Sequence, residues 1–328
     1  MNLSEERRYG MKIVILEADS LGEDMVFTPF EEFGEVVIYP SCTSEQAPER
    51  MQDADVVIAN KVPICEATIG QAKNLKLVCL TATGINNLDG DYLKAKGIAA
   101  YNVAGYSTNG VAQHTFALLF YILEKLSYYD QYVKSGEYAR GSCFSHFGKS
   151  FCELQDKTWG IVGLGAIGRR VAQLAEAFGC KVLCYSASGH KYDSRYEQTD
   201  FDTLLTKSDF ISVHAPLNAY TENLFTLDAF KKMKNTAIFI NVARGALVNE
   251  QDLYTALTTD EIAGAALDVL CKEPMDPKNP LLKIQDSTRL LITPHIAWAA
   301  KETRFRVVEE VAENIRRFQR GDTVNRVY

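Results

Sequence analysis

The chain is expected to be a doubly wound α/β protein of two parallel-sheet domains, and three observations predict this. Short, nearly continuous apolar runs alternate with helical segments, the alternation occurs in two successive sets, and a glycine-rich turn opens the second set. In the first set, strands are expected at 12–16, 35–39, 55–59, 77–80 and 98–102, with helices at 24–33 and 66–72. A long helical segment follows from Asn109 to about Lys134, with Val111, Phe116, Leu119, Phe120 and Leu123 at spacings typical of a buried face. Residues 135–156 read as an irregular surface crossing. The second set predicts six strands, at 158–163, 181–186, 210–215, 237–243, 263–269 and 290–293, with helices at 166–178, 202–208, 228–234 and 249–258. A final helix near 301–320 is expected to return to the first domain.

The turn Gly163-Leu164-Gly165-Ala166-Ile167-Gly168 follows an apolar strand and precedes a helix, the setting in which G-x-G-x-x-G marks a dinucleotide pyrophosphate site. Gly163 suits a tight turn, Gly165 a close phosphate, and Gly168 close helix–strand packing. The N–H groups of Ala166, Ile167 and Gly168 would face the anion at the helix N-terminus. This late position predicts a Rossmann domain over 109–298, inserted in a flavodoxin-like substrate domain made of 1–108 plus 299–328, with a ligand cleft between them.

Bulk properties exclude other classes. The 328 residues suffice for two cores, and 47% hydrophobic with 23% charged content is that of a folded chain. A formal charge of −7 gives no footing for nucleic acid. No apolar stretch approaches the roughly 20 residues of a membrane helix, so no membrane association is expected. The eight cysteines form no C-x-x-C pair, so we expect no metal site, reduced thiols and a cytoplasmic location.

Three charged residues lie just past strands of the second set: Arg244, Glu273 and His295. Side chains at the carboxyl ends of parallel strands face one crevice. There Arg244 offers a planar fork for a carboxylate, His295 a transferable proton, and Glu273 a partner that fixes the imidazole tautomer. That set suits hydride transfer to a small 2-keto acid. His114, on the long helix, reads as a packing or interface residue.

These segments resemble the D-isomer-specific 2-hydroxyacid dehydrogenases. The resemblance rests on the glycine turn, His214-Ala215-Pro216-Leu217 with Thr221, Asn241-Val242-Ala243-Arg244-Gly245, Asp268 to Pro274, and Pro294-His295-Ile296. It implies a catalytic trio of Arg244, Glu273 and His295, and a cofactor passing His214, Ala215, Pro216, Thr221, Val242 and Ala243, with Asp268 at the nicotinamide carboxamide. It further implies that backbone N–H groups of Thr83 and Gly84 hold the substrate carboxylate. Within the family, Thr81 to Asn87, Gly105 to Thr108, Val111 to Thr115 and Ile296 to Trp298 are most similar to the glycerate dehydrogenase (hydroxypyruvate reductase) branch. Trp298 would then wall the substrate pocket, and a homodimer is implied.

One position departs from the usual pattern. NAD-selective folds place an acid at the tip of the second strand, where this chain has Ser186, followed by Ser188 and Lys191. NAD(H) is therefore expected as cofactor, with NADP(H) admitted. Two alternatives stay open: a D-3-phosphoglycerate dehydrogenase-like enzyme, and a non-enzymatic NAD(H)-sensing binding protein on the same fold.

Overall fold

A computed structural model describes residues 10–191 and 195–328, which form two compact units. Residues 10–106 with Ala299–Tyr328 make the first and Ser107–Trp298 the second.

The first unit holds strands β1 (Met11–Ile15), β2 (Gly34–Ile38), β3 (Val56–Ala59), β4 (Leu77–Leu80) and β5 (Ala99–Tyr101). They pair in parallel in the order β2-β1-β3-β4-β5, the flavodoxin-like order. The inner strands β3 and β4 are buried at every position, while edge strand β2 is half exposed. That is why the inner strands read as unbroken apolar runs. The closing helix Lys301–Arg320 belongs to this unit and buries Val307, Val308, Val311, Ala312 and Ile315 along one stripe. Its buried Asn314 donates from Nδ2 to the Asn102 carbonyl at 2.8 Å, tying the helix to the exit of β5.

The second unit holds β6 (Thr158–Val162), β7 (Lys181–Tyr185), β8 (Glu197–Gln198), β9 (Phe210–Val213), β10 (Ile238–Asn241), β11 (Gly264–Leu267) and β12 (Leu290–Ile292). The order β12-β11-β10-β9-β6-β7-β8 reverses at β6, the topological switch point of a Rossmann sheet. One face is covered by the helices Thr108–Leu123 and Ala166–Ala177 around Trp159, the other by an aromatic cluster of Phe225, Phe230 and Phe239. Trp159 packs against Phe116 in a tilted arrangement, ring centroids 4.7 Å apart, and donates from Nε1 to Ser212 Oγ at 2.8 Å.

Several elements differ from expectation, among them the short helices Ala47–Met51 and Glu137–Arg140, the latter within the stretch expected to be irregular. The segment expected as a helix at 24–33 is helical only as a 3-10 turn over Thr28–Phe33, with Pro29 in its first turn, where the missing N–H has no helical partner to lose. The single helix expected at 109–134 is two, Thr108–Leu123 and Leu126–Lys134, broken at Lys125 with φ +56°. The first buries an apolar face and the second buries none, so the chain turns off the core where the apolar stripe ends. The helix Gly90–Lys96 and the polar two-residue edge strand β8, a seventh in its sheet, have no apolar period to announce them.

Candidate active site

The glycine turn leaves β6 with each glycine held to a different constraint. Gly163 has φ +91°, and a Cβ there would stand 2.8 Å from the Ala215 backbone. Gly168 lies against the turn, where a Cβ would be 2.2 Å from the Gly163 carbonyl oxygen. Gly165, the N-cap of the helix Ala166–Ala177, faces open space. Among the described residues, the N–H groups of Ala166, Ile167 and Gly168 meet no protein acceptor. A bare, concave backbone with unanswered donors fits a pyrophosphate.

Residues expected around this turn divide. His214 pairs through Nε2 with Ser212 Oγ at 2.9 Å, while its buried Nδ1 has no partner among the described residues. Burial pushes the ring down to about 3, so it is neutral at working pH. A neutral ring with an orphaned buried nitrogen beside the turn also fits a polar ligand. Thr221 is turned inward: its hydroxyl donates to the Pro216 carbonyl at 2.7 Å and accepts the Asn218 N–H at 2.8 Å. It shapes the 215–221 loop. At the tip of β7, buried Ser186 lies 3.3 Å from Ser188, hydroxyl to hydroxyl. Lys191 is exposed beyond it.

The trio sits past three neighbouring strands, since β10, β11 and β12 are paired side by side with Asn241, Leu267 and Ile292 in register. Val242 and Ala243 carry the chain from β10 to Arg244. Buried Asn241 closes that turn, accepting the Ala243 N–H at 3.0 Å and donating to the Arg244 carbonyl at 2.9 Å. Arg244 gives one guanidinium N–H to the Ala243 carbonyl at 2.7 Å. Its other nitrogens have no partner among the described residues.

Beyond β12, His295 Nδ1 pairs with Glu273 Oε2 at 2.7 Å. Glu273 Oε1 accepts the Leu270 N–H at 3.0 Å, so the carboxylate is anchored at both oxygens. The loop under it is tethered by Glu250, which accepts the Cys271 N–H and the Asn279 side chain, both at 2.7 Å. With Nδ1 engaged, the half-exposed His295 ring offers Nε2 outward, without a partner among the described residues. The backbone of His295 has φ +56°, a left-handed conformation that costs a non-glycine residue roughly 1–2 kcal/mol.

Asp268 holds that backbone. Its wholly buried carboxylate accepts the Ile296 N–H at 2.9 Å, the Ala297 N–H at 2.8 Å and the Thr293 hydroxyl at 2.6 Å. Its carbonyl accepts the His295 N–H at 2.9 Å. Burial alone would push the carboxyl up, but hydrogen bonds from His114, Thr293 and the Ala297 and Ile296 amides outweigh it and hold Asp268 below the usual carboxylate range. His114 contributes by placing Nε2 3.1 Å from Thr293 Oγ1 and 3.5 Å from Asp268 Oδ1, so it is a polar partner rather than a packing residue. Trp298 packs, partly buried, against the core of this unit. Sequence reasoning missed Asn241, Thr293 and Glu250. Asn241 was visible as a polar residue ending an apolar strand, but the other two carry no local signal.

In the first unit, the loop after β4 is pinned to the exit of β5. Thr83 Oγ1 donates to the Val103 carbonyl and Asn102 Nδ2 to the Thr83 carbonyl, both at 2.7 Å. Among the described residues, the N–H groups of Thr83 and Gly84 meet no acceptor. Such free amides suit a carboxylate. No group of described residues could hold a metal ion, and no described helix is long and apolar enough to cross a membrane.

Residues 116–297 match the family described as D-isomer specific 2-hydroxyacid dehydrogenase, NAD binding domain. The chain is 36% identical over 315 residues to a glycerate dehydrogenase from Methylorubrum extorquens, covering 96% of this chain and 98% of the relative. It is 35% identical over 323 residues to a hydroxypyruvate reductase from Blautia hydrogenotrophica, covering 96% and 99%. Among solved structures, an acyclic imino acid reductase in complex with NADPH and D-Arg is similar with a TM-score of 0.84 and 31% identity, covering 97% of this chain and all of that one.

Three variants test this geometry. Gly165→Ala is expected to leave thermal unfolding nearly unchanged while abolishing most nucleotide binding. Gly168→Ala, which drives a Cβ into backbone, is expected to lose about 1–3 kcal/mol of stability; thermal melts with a fluorescence titration of nucleotide separate the two. For Asp268, a folded pKa below the unfolded value means its stabilisation is full above about pH 3.8 and is lost as pH falls through the lowered folded value. Asp268→Asn should therefore cost on the order of 2 kcal/mol at neutral pH, and melts of both proteins across acid pH should show the gap closing below that point.

Proposed function

We propose that this chain, which belongs to the D-isomer specific 2-hydroxyacid dehydrogenase family, reduces small 2-keto acids of the size of hydroxypyruvate and glyoxylate to D-2-hydroxy acids. The observation that carries the reading is the His295–Glu273 pair, with Nε2 turned outward, on the same strand-end edge as Arg244 and the glycine cradle. The substrate size is supported by the glycerate dehydrogenase and hydroxypyruvate reductase relatives, which match over nearly the whole chain.

Gly163, Gly165, Gly168 and the amides of Ala166 and Ile167 would hold the pyrophosphate of a nicotinamide dinucleotide, which when bound supplies the hydride. Ser186 would stand at its adenosine ribose. With no carboxylate among residues 186–191 to repel a 2′-phosphate, NADPH would be accepted beside NADH. The free guanidinium nitrogens of Arg244 bind the substrate carboxylate and draw electron density from the neighbouring carbonyl. As that oxygen gains charge, His295 donates the Nε2 proton to it, and the Glu273 carboxylate stabilises the ring through Nδ1 and keeps its orientation. In the oxidative direction the neutral ring takes the proton back. The free amides of Thr83 and Gly84 are donors of the kind a substrate carboxylate takes, and we assign them to it.

The test is nicotinamide absorbance with hydroxypyruvate, glyoxylate and pyruvate, using NADH and NADPH in turn. Turnover with hydroxypyruvate or glyoxylate is expected with both cofactors, and Arg244→Ala should lower kcat/KM by ~10²–10³-fold with nucleotide binding retained. A chain that binds nucleotide but turns over none of the three acids is a sensor rather than an enzyme. Activity with NADH alone would discard the relaxed cofactor reading only.

We also infer a homodimer built on the segment after Leu126. The helix Leu126–Lys134 buries none of its residues, and Phe144 and Phe147 are 89% and 87% exposed. Large aromatics that their own fold leaves bare mark an association surface. Light scattering should give twice the chain mass, and Phe144→Ser with Phe147→Ser should halve it.

A further inference from the structure

His114 lies in the helix Thr108–Leu123, seven residues into a segment fixed by its neighbours: Thr115 and Phe116 are buried, and Phe116 packs on Trp159. Its ring reaches the turn that carries His295, 179 residues away in sequence at Thr293. The Thr293 hydroxyl gives its proton to Asp268 Oδ1, so its oxygen is left as acceptor, and the His114 Nε2–H is the donor. Asp268 Oδ1 stands 3.5 Å from the same nitrogen. From there the two carboxylate oxygens take the Ile296 and Ala297 N–H groups, the two amides that follow His295. A chain of hydrogen bonds thus runs from a rigid helix to the backbone on which the acid–base ring is mounted.

We propose that His114 is a positioning residue for the acid–base step, holding the His295 turn in its left-handed conformation through Thr293 and Asp268. It touches none of the reacting atoms. Its contribution comes from fixing one end of a relay whose other end sets where His295 Nε2 stands. The proposal rests on the reading of His295 as the proton donor, but its structural half does not, since the relay is present whatever the substrate. An apolar residue of similar size would fill the same space on the helix, yet it would leave Thr293 Oγ1 without its donor. Glutamine, which can place an amide N–H near the position of Nε2, would restore it.

The experiment compares His114→Leu, His114→Gln, Thr293→Val and the His114→Leu/Thr293→Val pair with the unaltered protein. In His114→Leu, hydroxypyruvate kcat should fall roughly tenfold or more, with keto-acid KM and nucleotide affinity little changed, and His114→Gln should recover most of the loss. The double variant should be no slower than the slower single one, because both break one relay. Amide exchange by mass spectrometry, on the protein without added nucleotide, should quicken across Ile296 and Ala297 in His114→Leu and return toward normal in His114→Gln. Equal effects of Leu and Gln, a loss confined to KM, or unchanged exchange at those two amides would overturn the proposal. Inactivity of the unaltered protein toward every keto acid would instead remove the reading of His295, leaving the exchange result to judge the relay alone.

Discussion

The buried carboxylate of Asp268 is the interaction on which the His295 half of the candidate site depends. It stands one residue past β11, wholly withdrawn from solvent, and a charge in that position is tolerable only if its oxygens are answered. The turn after β12 answers them by folding around it with two amides and a hydroxyl. That wrapping forces His295 into a backbone conformation a histidine would not choose, and the ring is thereby aimed at Glu273. Removing the charge would relax the turn before it touched the ring. The buried ion therefore fixes the geometry of the turn in addition to the stability it contributes.

The neighbouring strand uses the same arrangement without a charge. Asn241 ends β10, is fully buried, and bonds both ends of the turn that presents Arg244. The two strand ends are joined directly, the Asp268 N–H donating to the Asn241 carbonyl at 2.9 Å. The turns that present Arg244 and His295 are thus each held by a buried polar group, and those two groups stand at the ends of the neighbouring strands β10 and β11. A site assembled in this way is stiff because each mounting point is a hydrogen bond with no solvent to compete for it.

How much of this was legible in the sequence follows from whether a constraint is local. The sheets were legible because buried parallel strands must be apolar throughout, and the glycine turn because each glycine answers a backbone requirement within a few residues. Arg244, Glu273 and His295 were legible as charged residues at strand exits. Edge strand β8 was not, since a short polar edge has no core face to show. The break at Lys125 was hidden because helical spacing continues through it while burial stops. His114 was read as a packing or interface residue because its partners, Thr293 and Asp268, are near it only after the second sheet has formed. Long-range polar pairs leave no period and no motif.

The two halves of the site are therefore built by opposite means, and this bears on how each tolerates change. The nucleotide cradle is made by absence: Gly163 and Gly168 keep side chains out of backbone contacts, and Gly165 keeps one out of open space. At Ser186 the absence extends to charge, since the described residues 186–191 at the tip of β7 include no carboxylate. The acid–base half is made by presence, through Asn241, Asp268, Glu273 and their donors, each needing a particular partner. Adding a group to the cradle blocks a ligand or displaces backbone, whereas deleting one from the acid–base half strands a buried polar partner. On the proposed assignment of Ser186, single additions there would shift cofactor choice with the fold intact. The position of His295 can be retuned only by changes that keep the chain of hydrogen bonds from Asp268 to its turn complete.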